Sequence, residues 1–357
     1  MSQIEVITAG ARTMVQDSGF SNAREQGVPA GGVLDRAALR FVNALLGNPQ
    51  ETEALEVALV SPALRAVEGP VRLALSGTLQ GVVRAPDGAE RPVAPWSATT
   101  IATDHTLILS APERGGIGLI GVGGGLDLPL VLGSRSTCLK AGFGGNKGRC
   151  LQKGDILPLR GDAPAQPGQD MGFATVPVSR TGPIRVVKGP QEEWFDPADY
   201  ARFLEAPYRI TPKYDRMGMR LDGVRMMFSA GKTADIISDG VAPGAIQVPA
   251  NGLPIILLAD AQTTGGYPKI ATVISTDLPR LSNLMPGDAL QFQAVSVAEA
   301  EAIARAEHAA QAAVIDTIAS VRTASPDGAA LHRKNLIGGT VDMGKPDHFP
   351  GHLFETE

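Results

Sequence analysis

Short apolar runs separated by turn residues dominate the chain and indicate a protein built mainly from β-strands. Residues 3–8 alternate weakly between polar and apolar side chains, which is typical of a half-buried strand. Between residues 53 and 159, apolar runs recur with glycine, proline and aspartate between them, at the spacing of about 8–12 residues found in sandwiches and barrels. Residues 184–189 and the segment 207–293 continue this pattern, which includes a predicted strand at residues 224–229.

Three helices interrupt the strands, and each has a recognisable start. Residues 35–47 combine a capping aspartate, an apolar stripe and a terminal glycine. Asp196 precedes a proline, which is a favourable pair for the first turn of a second helix. Ser296 and Glu299 form a capping box that opens an alanine-rich helix, predicted to run to about Arg322.

The same pattern predicts the domain organisation. Residues 161–183 are rich in proline, glycine and glutamine and contain no convincing element, so they are the best candidate for a linker or crossover between the halves. We therefore predict an N-terminal β-rich domain at residues 1–165 and a second β-rich domain at residues 183–295. A helix and a polar tail at residues 296–357 complete the chain.

The two halves have the same predicted order of secondary-structure elements. Each half has a strand, a helix and a β-rich body, and each ends in a Gly-Asp turn followed by a last strand. Gly154 and Gly287 occupy the corresponding turns. Two β-barrel-like domains, derived from a duplication, would account for this repetition.

Composition excludes several classes of protein. A hydrophobic content of 43% is typical of a globular protein, and aromatic residues at only 4% do not support a stacking surface for nucleic acid. The formal net charge of −5 disfavours a polyanionic partner. The two cysteines are too few for a disulfide framework, and neither a signal peptide nor a membrane span is visible. These features predict a cytoplasmic protein that binds neither nucleic acid nor membrane.

Two glycine-rich motifs imitate nucleotide-binding loops. Residues 116–121 match G-x-G-x-x-G, but a dinucleotide site needs this motif between a strand and a helix, and here the motif itself is predicted as a strand. Residues 144–148 lack the serine or threonine that follows lysine in a phosphate-binding loop. A tight turn with a solvated Lys147 is the preferred interpretation, and binding of an anionic substrate by Lys147 is the alternative.

Histidine and cysteine do not suggest a metal or a nucleophile. His348 and His352 have helical metal-site spacing, but Pro350 between them disfavours a helix. Cys138 and Cys150 have no histidine nearby, so we predict two small buried side chains.

A polar run between two strongly apolar strands is the most informative stretch of the chain. It follows an Asn-Gly pair at residues 251–252, which predicts a hairpin, and it contains a Gly-Gly pair at residues 265–266. One interpretation is a solvated loop; the other is a cradle of donors for a planar amide, ureido or carboxylate group. The polar residues are Asp260, Gln262, Thr263, Thr264, Tyr267 and Lys269.

The segment 245–273 closely resembles the signature of the biotin-dependent carboxyltransferase family, which includes the C-type subunit of 5-oxoprolinase and the second subunit of allophanate hydrolase. One departure is that Asp17 is followed by Ser18 where the family commonly has Gly-Arg, which leaves room for a substrate other than 5-oxoproline. Further matches to the family lie, in the expected order, at residues 13–17, 27–29, 34–35, 43–48, 123–127, 133–137, 188–190 and 215–221.

This resemblance implies a mainly β (α+β) protein with two tandem cyclophilin-like β-barrel domains and a C-terminal helix. It implies a subunit of an ATP-dependent 5-oxoprolinase that hydrolyses 5-oxoproline to glutamate, with a B-type subunit and an A-type lactam-utilisation subunit as partners. ATP would then bind elsewhere in the complex. One alternative is a carboxyltransferase acting on urea or a related amide, with biotin on a separate carrier. Another is a non-catalytic regulator of a kinase-inhibitor-like B subunit.

The resemblance and the polar run together predict the site residues. Asp260, Tyr267 and Lys269 are the predicted catalytic residues, with Tyr267 or Lys269 contributing a proton or stabilising an oxyanion. We predict no metal ligands. The predicted substrate-binding residues are Gln16, Asp17, Asp35, Arg216, Gln247, Gln262, Thr263 and Thr264.

Three of these residues have competing interpretations. Asp17 or Asp35 could act as a base, although Asp35 also fits simple helix capping. Arg216 could pair with a substrate carboxylate, or with one of its neighbours Asp215 and Asp222.

Overall fold

A computed structural model describes residues 2–112, 116–161, 169–175, 177 and 181–321 of the chain. Most of these residues lie in strands and connecting turns, which confirms the mainly β fold. No helix within these ranges is long and apolar enough to cross a membrane.

The first half contains two sheets and one helix. β11, β1, β4, β9, β6 and β7 form one sheet in that order, and β2, β3, β10, β5, β8 and β12 form most of the other. The elements are β1 (Gln3–Thr8), β2 (Arg12–Gln16), α1 (Arg36–Leu46), β3 (Ala54–Ala58), β4 (Ala63–Val67), β5 (Val71–Leu75), β6 (Gly81–Arg84), β7 (Glu90–Val93), β8 (Ser97–Ile101), β9 (Thr106–Leu109), β10 (Ile117–Val122), β11 (Ile156–Pro158) and β12 (Met171–Phe173).

The core of the first half lies between its two sheets. Successive side chains of β2 and β3 point to opposite faces of the sheet, and Val15, Leu55 and Val57 point into this core, where they are fully buried. The opposite face of these strands carries Gln16 and Glu56, which are also buried, and Glu56 accepts a hydrogen bond from Arg216 of the second half. The sheet therefore presents buried polar groups to the second half.

Helix α1 forms as its sequence predicts. The carboxylate of Asp35 accepts a hydrogen bond from the backbone N–H of Ala38 at 2.8 Å, and Gly47 ends the helix in the left-handed conformation. The apolar face of α1, which includes Phe41 and Val42, packs against the second sheet. The G-x-G-x-x-G motif continues from Gly116 directly into strand β10, which confirms that this motif does not open a helix.

The second half is a near-closed barrel. Its main sheet has the order β21, β14, β15, β18, β17, β20, β13 and β22. β21 and β22 lie at opposite ends of this order, yet only Gln291 separates them along the chain, so the sheet nearly closes on itself. The elements are β13 (Ile184–Lys188), α2 (Pro197–Glu205), β14 (Tyr208–Tyr214), β15 (Gly218–Asp222), β16 (Asp239–Gly240), β17 (Ala245–Gln247), β18 (Ile255–Leu257), β19 (Thr264–Gly265), β20 (Lys269–Val273), α3 (Leu278–Leu281), β21 (Ala289–Leu290) and β22 (Phe292–Ala294).

The barrel core is shared with the first half. Stacked Phe203 and Phe292, with ring centroids 4.5 Å apart, lie inside the barrel. Leu34, Ala58 and Ile117 of the first half belong to the same apolar cluster. This continuity fits the finding that residues up to 321 form one compact unit, and the two predicted domain boundaries stay a prediction.

The two Gly-Asp turns have the same hydrogen-bond geometry. The N–H of Gly154 donates to the carbonyl oxygen of Val6 at 2.8 Å, and the N–H of Gly287 donates to that of Ile210 at 2.8 Å. The carboxylate of the aspartate that follows each glycine accepts the N–H of the residue three positions before it. Each turn therefore connects a last strand to an early strand of its own half, as the repeated pattern predicts.

The C-terminal helix is shorter than predicted and returns to the first half. α4 (Val297–Ile315) has the predicted capping box but ends at Ile315, not near Arg322. The chain then forms β23 (Ile318–Ser320), which pairs with β12 and completes the second sheet. Pairing with a distant strand ends the helix, and local sequence does not reveal such pairing.

Two other expectations also fail. Residues 171–173 of the predicted linker form strand β12 between β8 and β23, whereas much of the rest of that stretch lies outside the described residues. The predicted strand at residues 224–229 is reduced to one bridge, between Phe195 and Phe228, because Met226 donates instead to the turn at Gly252. The tail after residue 321, with its histidines, also lies outside the described part.

Candidate functional site

A hairpin places Gln247 at the centre of the barrel wall. β17 and β18 pair with Gln247 opposite Ile255, and the connecting turn contains Gly252 in the left-handed conformation that the Asn-Gly pair predicts. The N–H of Gly252 donates to the carbonyl oxygen of Pro249 at 2.8 Å. The predicted hairpin is therefore confirmed, and it directs the Gln247 side chain into the wall.

Part of the polar run belongs to a separate two-stranded sheet. Thr264 and Gly265 form β19, which pairs with Asp239 and Gly240 of β16. The chain then enters β20 at Lys269. This small two-stranded sheet brings Asp239 to the beginning of β20.

Lys269 and Gln247 lie opposite each other on β20 and β17. The Nζ of Lys269 donates to Asp239 Oδ2 at 2.9 Å, and Gln191 Nε2 donates to the same oxygen at 3.2 Å. The backbone N–H of Lys269 donates to Gln191 Oε1 at 3.2 Å. We call these four residues, Gln191, Asp239, Gln247 and Lys269, the lysine cluster.

The lysine cluster is buried on one side and open on the other. The Lys269 side chain is 3% exposed, whereas that of Asp239 is 52% exposed. Hydrogen bonds from Lys269 and then from Gln191 hold the pKa of the Asp239 carboxyl below its usual range. The ionised carboxylate of Asp239 is therefore in contact with solvent and also accepts a hydrogen bond from the buried ammonium group of Lys269.

The amide of Gln247 is confined by a close approach of the chain. A side-chain carbon at Gly265 would lie 2.4 Å from Gln247 Nε2, so a larger residue there would have to displace this amide. Within the described residues this buried Nε2 has no hydrogen-bond acceptor. A buried donor without an acceptor costs about 1–3 kcal/mol, which folding alone does not explain.

A second polar group connects the two halves of the molecule. Arg216, 3% exposed, binds Asp260 through two hydrogen bonds, Nε–Oδ2 at 2.8 Å and Nη2–Oδ1 at 2.9 Å. Its Nη1 also donates to Glu56 Oε1 at 2.5 Å. Arg216 therefore pairs with neither Asp215 nor Asp222, and the expectation of such a local pair is wrong. We call Glu56, Arg216 and Asp260 the interdomain triad.

Two members of the triad, Arg216 and Asp260, were predicted to act on substrate. Both oxygens of Asp260 accept from Arg216, and within the described residues Asp260 makes no hydrogen bond to the lysine cluster. Burial and the charges of Glu56 and Asp260 act on Arg216 together, and the net effect raises its pKa above the ordinary value. The catalytic role of Asp260 stays a prediction, while its contacts are those of a group that joins the halves.

The other polar residues of the run are less constrained. Tyr267 is 40% exposed, next to the lysine cluster in sequence. In the described part of the chain, no hydrogen bond holds the side chains of Gln262, Thr263, Thr264 or Tyr267. These groups are free to contact a ligand, and their binding role stays a prediction.

The carboxylate of Asp17 is held mainly by residues 134–136, which lie far from it in the sequence. Its carboxylate accepts from Ser134 Oγ at 2.6 Å, Ser136 Oγ at 2.5 Å and the backbone N–H groups of Gly19 and Arg135. Three of these donors bind Oδ1 and one binds Oδ2, so free lone-pair capacity is left only on Oδ2. A role for Asp17 as base stays a prediction that this geometry does not favour.

Gln16 lies beside the loop that contains Asp17. Its Nε2 donates to the carbonyl oxygen of Thr137 at 3.0 Å, and its buried Oε1 has no donor among the described residues. The structure thus places Gln16 in the first half, among the contacts of the Asp17 loop. Its role in binding substrate stays a prediction.

Asp35 caps α1, which confirms the helix-capping interpretation, and it also lines a cavity of about 690 Å³. Burial, with a contribution from Glu56, raises the pKa of Asp35 to about 6. Such a value is suitable for a base near neutral pH. The structure does not bring Asp35 into the lysine cluster, and a catalytic role for it stays a prediction.

The raised pKa of Asp35 predicts a measurable change in stability with pH. Because the folded state binds this proton more tightly, the group is most favourable below pH 3.8, and its contribution is lost as the pH rises through 6. In Asp35→Asn, the asparagine still caps α1, and the loss of stability at higher pH is removed because asparagine does not ionise. We expect this substitution to raise the free energy of unfolding at pH 7.5 by about 1–2 kcal/mol and to have little effect near pH 4. Urea denaturation at both pH values measures this; equal changes at both would contradict it.

Residues 26–294 match the family model for the carboxyltransferase domain, subdomain A and B. The C-type subunit of 5-oxoprolinase from Escherichia coli (strain K12) is 36% identical over 83% of this chain and 93% of that protein. Its counterpart of the same name from Haemophilus influenzae is 32% identical over 85% of this chain and 94% of that protein. The crystal structure of K. lactis urea amidolyase matches with a TM-score of 0.77 and 26% identity, over 87% of this chain but only 20% of that larger chain.

The chain therefore belongs to the carboxyltransferase domain, subdomain A and B, family, and the resemblance inferred from residues 245–273 is confirmed. The similarity to urea amidolyase extends this relationship to the fold.

Sequence reasoning missed three residues of these groups: Gln191, Asp239 and Glu56. Gln191 directly follows the Gly-Pro pair at residues 189–190, a turn signal within one of the family-like motifs. Asp239 lies in a Ser-Asp-Gly turn before the apolar strand β17. Glu56 is the charged residue in the otherwise apolar run of β3, and a buried charge implies a partner.

Proposed function

We propose that this chain is the C-type subunit of an ATP-dependent 5-oxoprolinase complex that hydrolyses the lactam of 5-oxoproline to glutamate. The observation that carries this proposal is the lysine cluster, in which a buried ammonium group lies beside a buried amide donor. Two relatives named as C-type subunits of 5-oxoprolinase, which match over most of their length, support the choice of substrate.

The lysine cluster suits the chemistry of an amide carbonyl. When water adds to the lactam carbon, negative charge develops on the carbonyl oxygen, and the C–N bond then breaks to give a carboxylate and an amine. Lys269 Nζ would stabilise this oxygen, with Asp239 and Gln191 holding Lys269 in place. Gln247 would supply a second donor after a small shift of its amide.

ATP is part of this proposal, but no step is assigned to it in this chain. Neither glycine-rich motif forms a strand–loop–helix phosphate site, because residues 117–121 lie within β10 and residues 144–148 do not open a helix. We propose that a partner subunit binds ATP. The proposed complex also contains a B-type and an A-type subunit, and we place it in the cytoplasm.

Reconstitution tests this function. The chain is mixed with B-type and A-type subunits from the same source, and glutamate and phosphate are measured with 5-oxoproline and ATP. We expect turnover with all three proteins and none when this chain is omitted. A verified complex of the three subunits that forms no glutamate would overturn the proposal.

A second candidate is a biotin-dependent carboxyltransferase. The family model and the structural similarity to urea amidolyase favour it. Lys269 and Gln247 would then bind a ureido or amide oxygen, and biotin would arrive on a separate carrier protein. Incorporation of labelled bicarbonate into urea, dependent on a biotinylated carrier and on this chain, would select this function over lactam hydrolysis.

A further inference from the structure

A large cavity lies apart from the lysine cluster and the interdomain triad. It has a volume of about 690 Å³ and is bounded by α1, α4 and the segment around α3. This size is typical of sites for small organic ligands. α4 follows residue 294, where the match to the family model ends, so one wall of the cavity lies outside the shared domain.

Two arginines of α1 line the cavity without a carboxylate partner. Arg36 donates to the carbonyl oxygen of Ser18 at 3.1 Å, and Arg40 donates to the amide oxygen of Gln311 at 3.1 Å. In the described part of the chain, neither guanidinium has a carboxylate oxygen within 4.0 Å. The hydrogen-bond acceptors of both guanidinium groups are therefore neutral oxygens, although the carboxyl groups of Asp35 and Glu307 also line the cavity.

The two arginines also lie on one face of the helix. The carboxylate of Asp35 at the N-cap already occupies the positive end of α1, so the helix terminus itself needs no further anion. Arg36 and Arg40 are four residues apart, a spacing at which like charges repel. An anion in the cavity would reduce this repulsion.

The wall beside the arginines is aromatic and apolar. Trp96 is half-buried and meets Phe41 edge to face, with ring centroids 5.6 Å apart. Ile117 and Val314 extend this apolar lining. A ligand that fits has an acidic group at one end and a flat apolar body at the other.

We propose that this cavity is a second ligand site, which binds a small organic carboxylate with a flat apolar body. Arg36 and Arg40 bind the carboxylate, since a planar guanidinium matches its two oxygens. Trp96 packs against the apolar body. The site is independent of the proposed amide chemistry, so its test needs neither partner subunits nor turnover.

Trp96 provides a direct readout of binding. The chain has two tryptophans, and Trp194→Phe leaves Trp96 as the only one. The probe is (4-nitrophenyl)acetic acid, whose nitroaromatic ring quenches tryptophan fluorescence, and 4-nitrobenzyl alcohol is the uncharged analogue. We expect saturable quenching by the acid and at least about tenfold weaker binding of the alcohol.

Variants assign the binding to the two arginines. Arg40→Gln and Arg36→Gln, each in the Trp194→Phe protein, are expected to raise the dissociation constant of the acid by about tenfold. Arg36 is exposed, and among the described residues its side chain makes one hydrogen bond, to a carbonyl oxygen, so its substitution keeps the fold. Arg84→Gln, which removes an exposed pair with Glu90, is the control and leaves binding unchanged. Equal binding of acid and alcohol, or unchanged binding in both cavity variants, overturns the proposal.

Discussion

Replacing Lys269 by methionine is expected to reduce the activity of the assembled complex by about 10²–10³-fold while the chain stays folded. Methionine fills a similar apolar volume and removes the ammonium donor. Its loss leaves no buried charge behind, because the Asp239 side chain is 52% exposed and returns to water. The free energy of unfolding should therefore stay the same or rise.

Two measurements separate activity from folding in this experiment. The kcat/KM for 5-oxoproline hydrolysis in the reconstituted complex reports the loss, and thermal unfolding of the isolated chain reports the fold. Lys188→Met is the matched control, since Lys188 is 62% exposed and pairs with Glu192 on the surface. Activity of Lys269→Met within tenfold of the unmodified complex would remove Lys269 from the reaction.

Replacing Arg216 by methionine is expected to destabilise the chain by about 3–5 kcal/mol. Glu56 is 2% exposed and Asp260 is 14% exposed, so both carboxylates would lose their partner inside the molecule. The two halves meet at this point, and the triad joins residues 160 positions apart in the chain. The loss should therefore affect the whole unit up to residue 321.

Urea denaturation measures this effect. Adding Glu56→Gln and Asp260→Asn to Arg216→Met should recover a large part of the loss, because neutral side chains cost less to bury. Arg65→Met is the control, since Arg65 is 41% exposed, and the loss of its pair with Glu5 should cost less than about 1 kcal/mol. Equal losses for Arg216→Met and Arg65→Met would show that the triad does not stabilise the junction.

The parts of the fold that depend on neighbouring residues are predictable from the sequence. α1 starts and ends where Asp35 and Gly47 indicate, and the hairpin before Ile255 has the turn that its Asn-Gly pair predicts. Each of these signals acts within a few residues. They require no knowledge of what packs against them.

Long-range pairing accounts for what sequence reasoning missed. β23 ends α4 early because β12 offers it a partner, and β12 itself lay in a predicted linker. Arg216 has aspartates on either side in sequence, yet it binds Asp260 and Glu56. Local composition cannot show that Arg216 binds a distant carboxylate rather than a near one, because the folded barrel determines which carboxylates lie close to its guanidinium group.

The candidate site was only half predictable for the same reason. Contrast between polar and apolar stretches identified Lys269, and the resemblance of residues 245–273 added Gln247, its neighbour across two strands of one sheet. Asp239 comes from a turn 30 residues earlier, and Gln191 comes from 78 residues earlier. Only the folded barrel places those two beside the lysine.

The pairing of β23 with β12 also has a consequence for biosynthesis. β12 lies between β8 and β23, so its outer backbone N–H and C=O groups stay unpaired until residue 320 has left the ribosome. An uncovered strand edge is a template for association with other chains. A nascent chain that ends at residue 294, the limit of the family match, would therefore leave the outer edge of β12 open to association with other chains. In the finished protein, β23 covers this edge of β12.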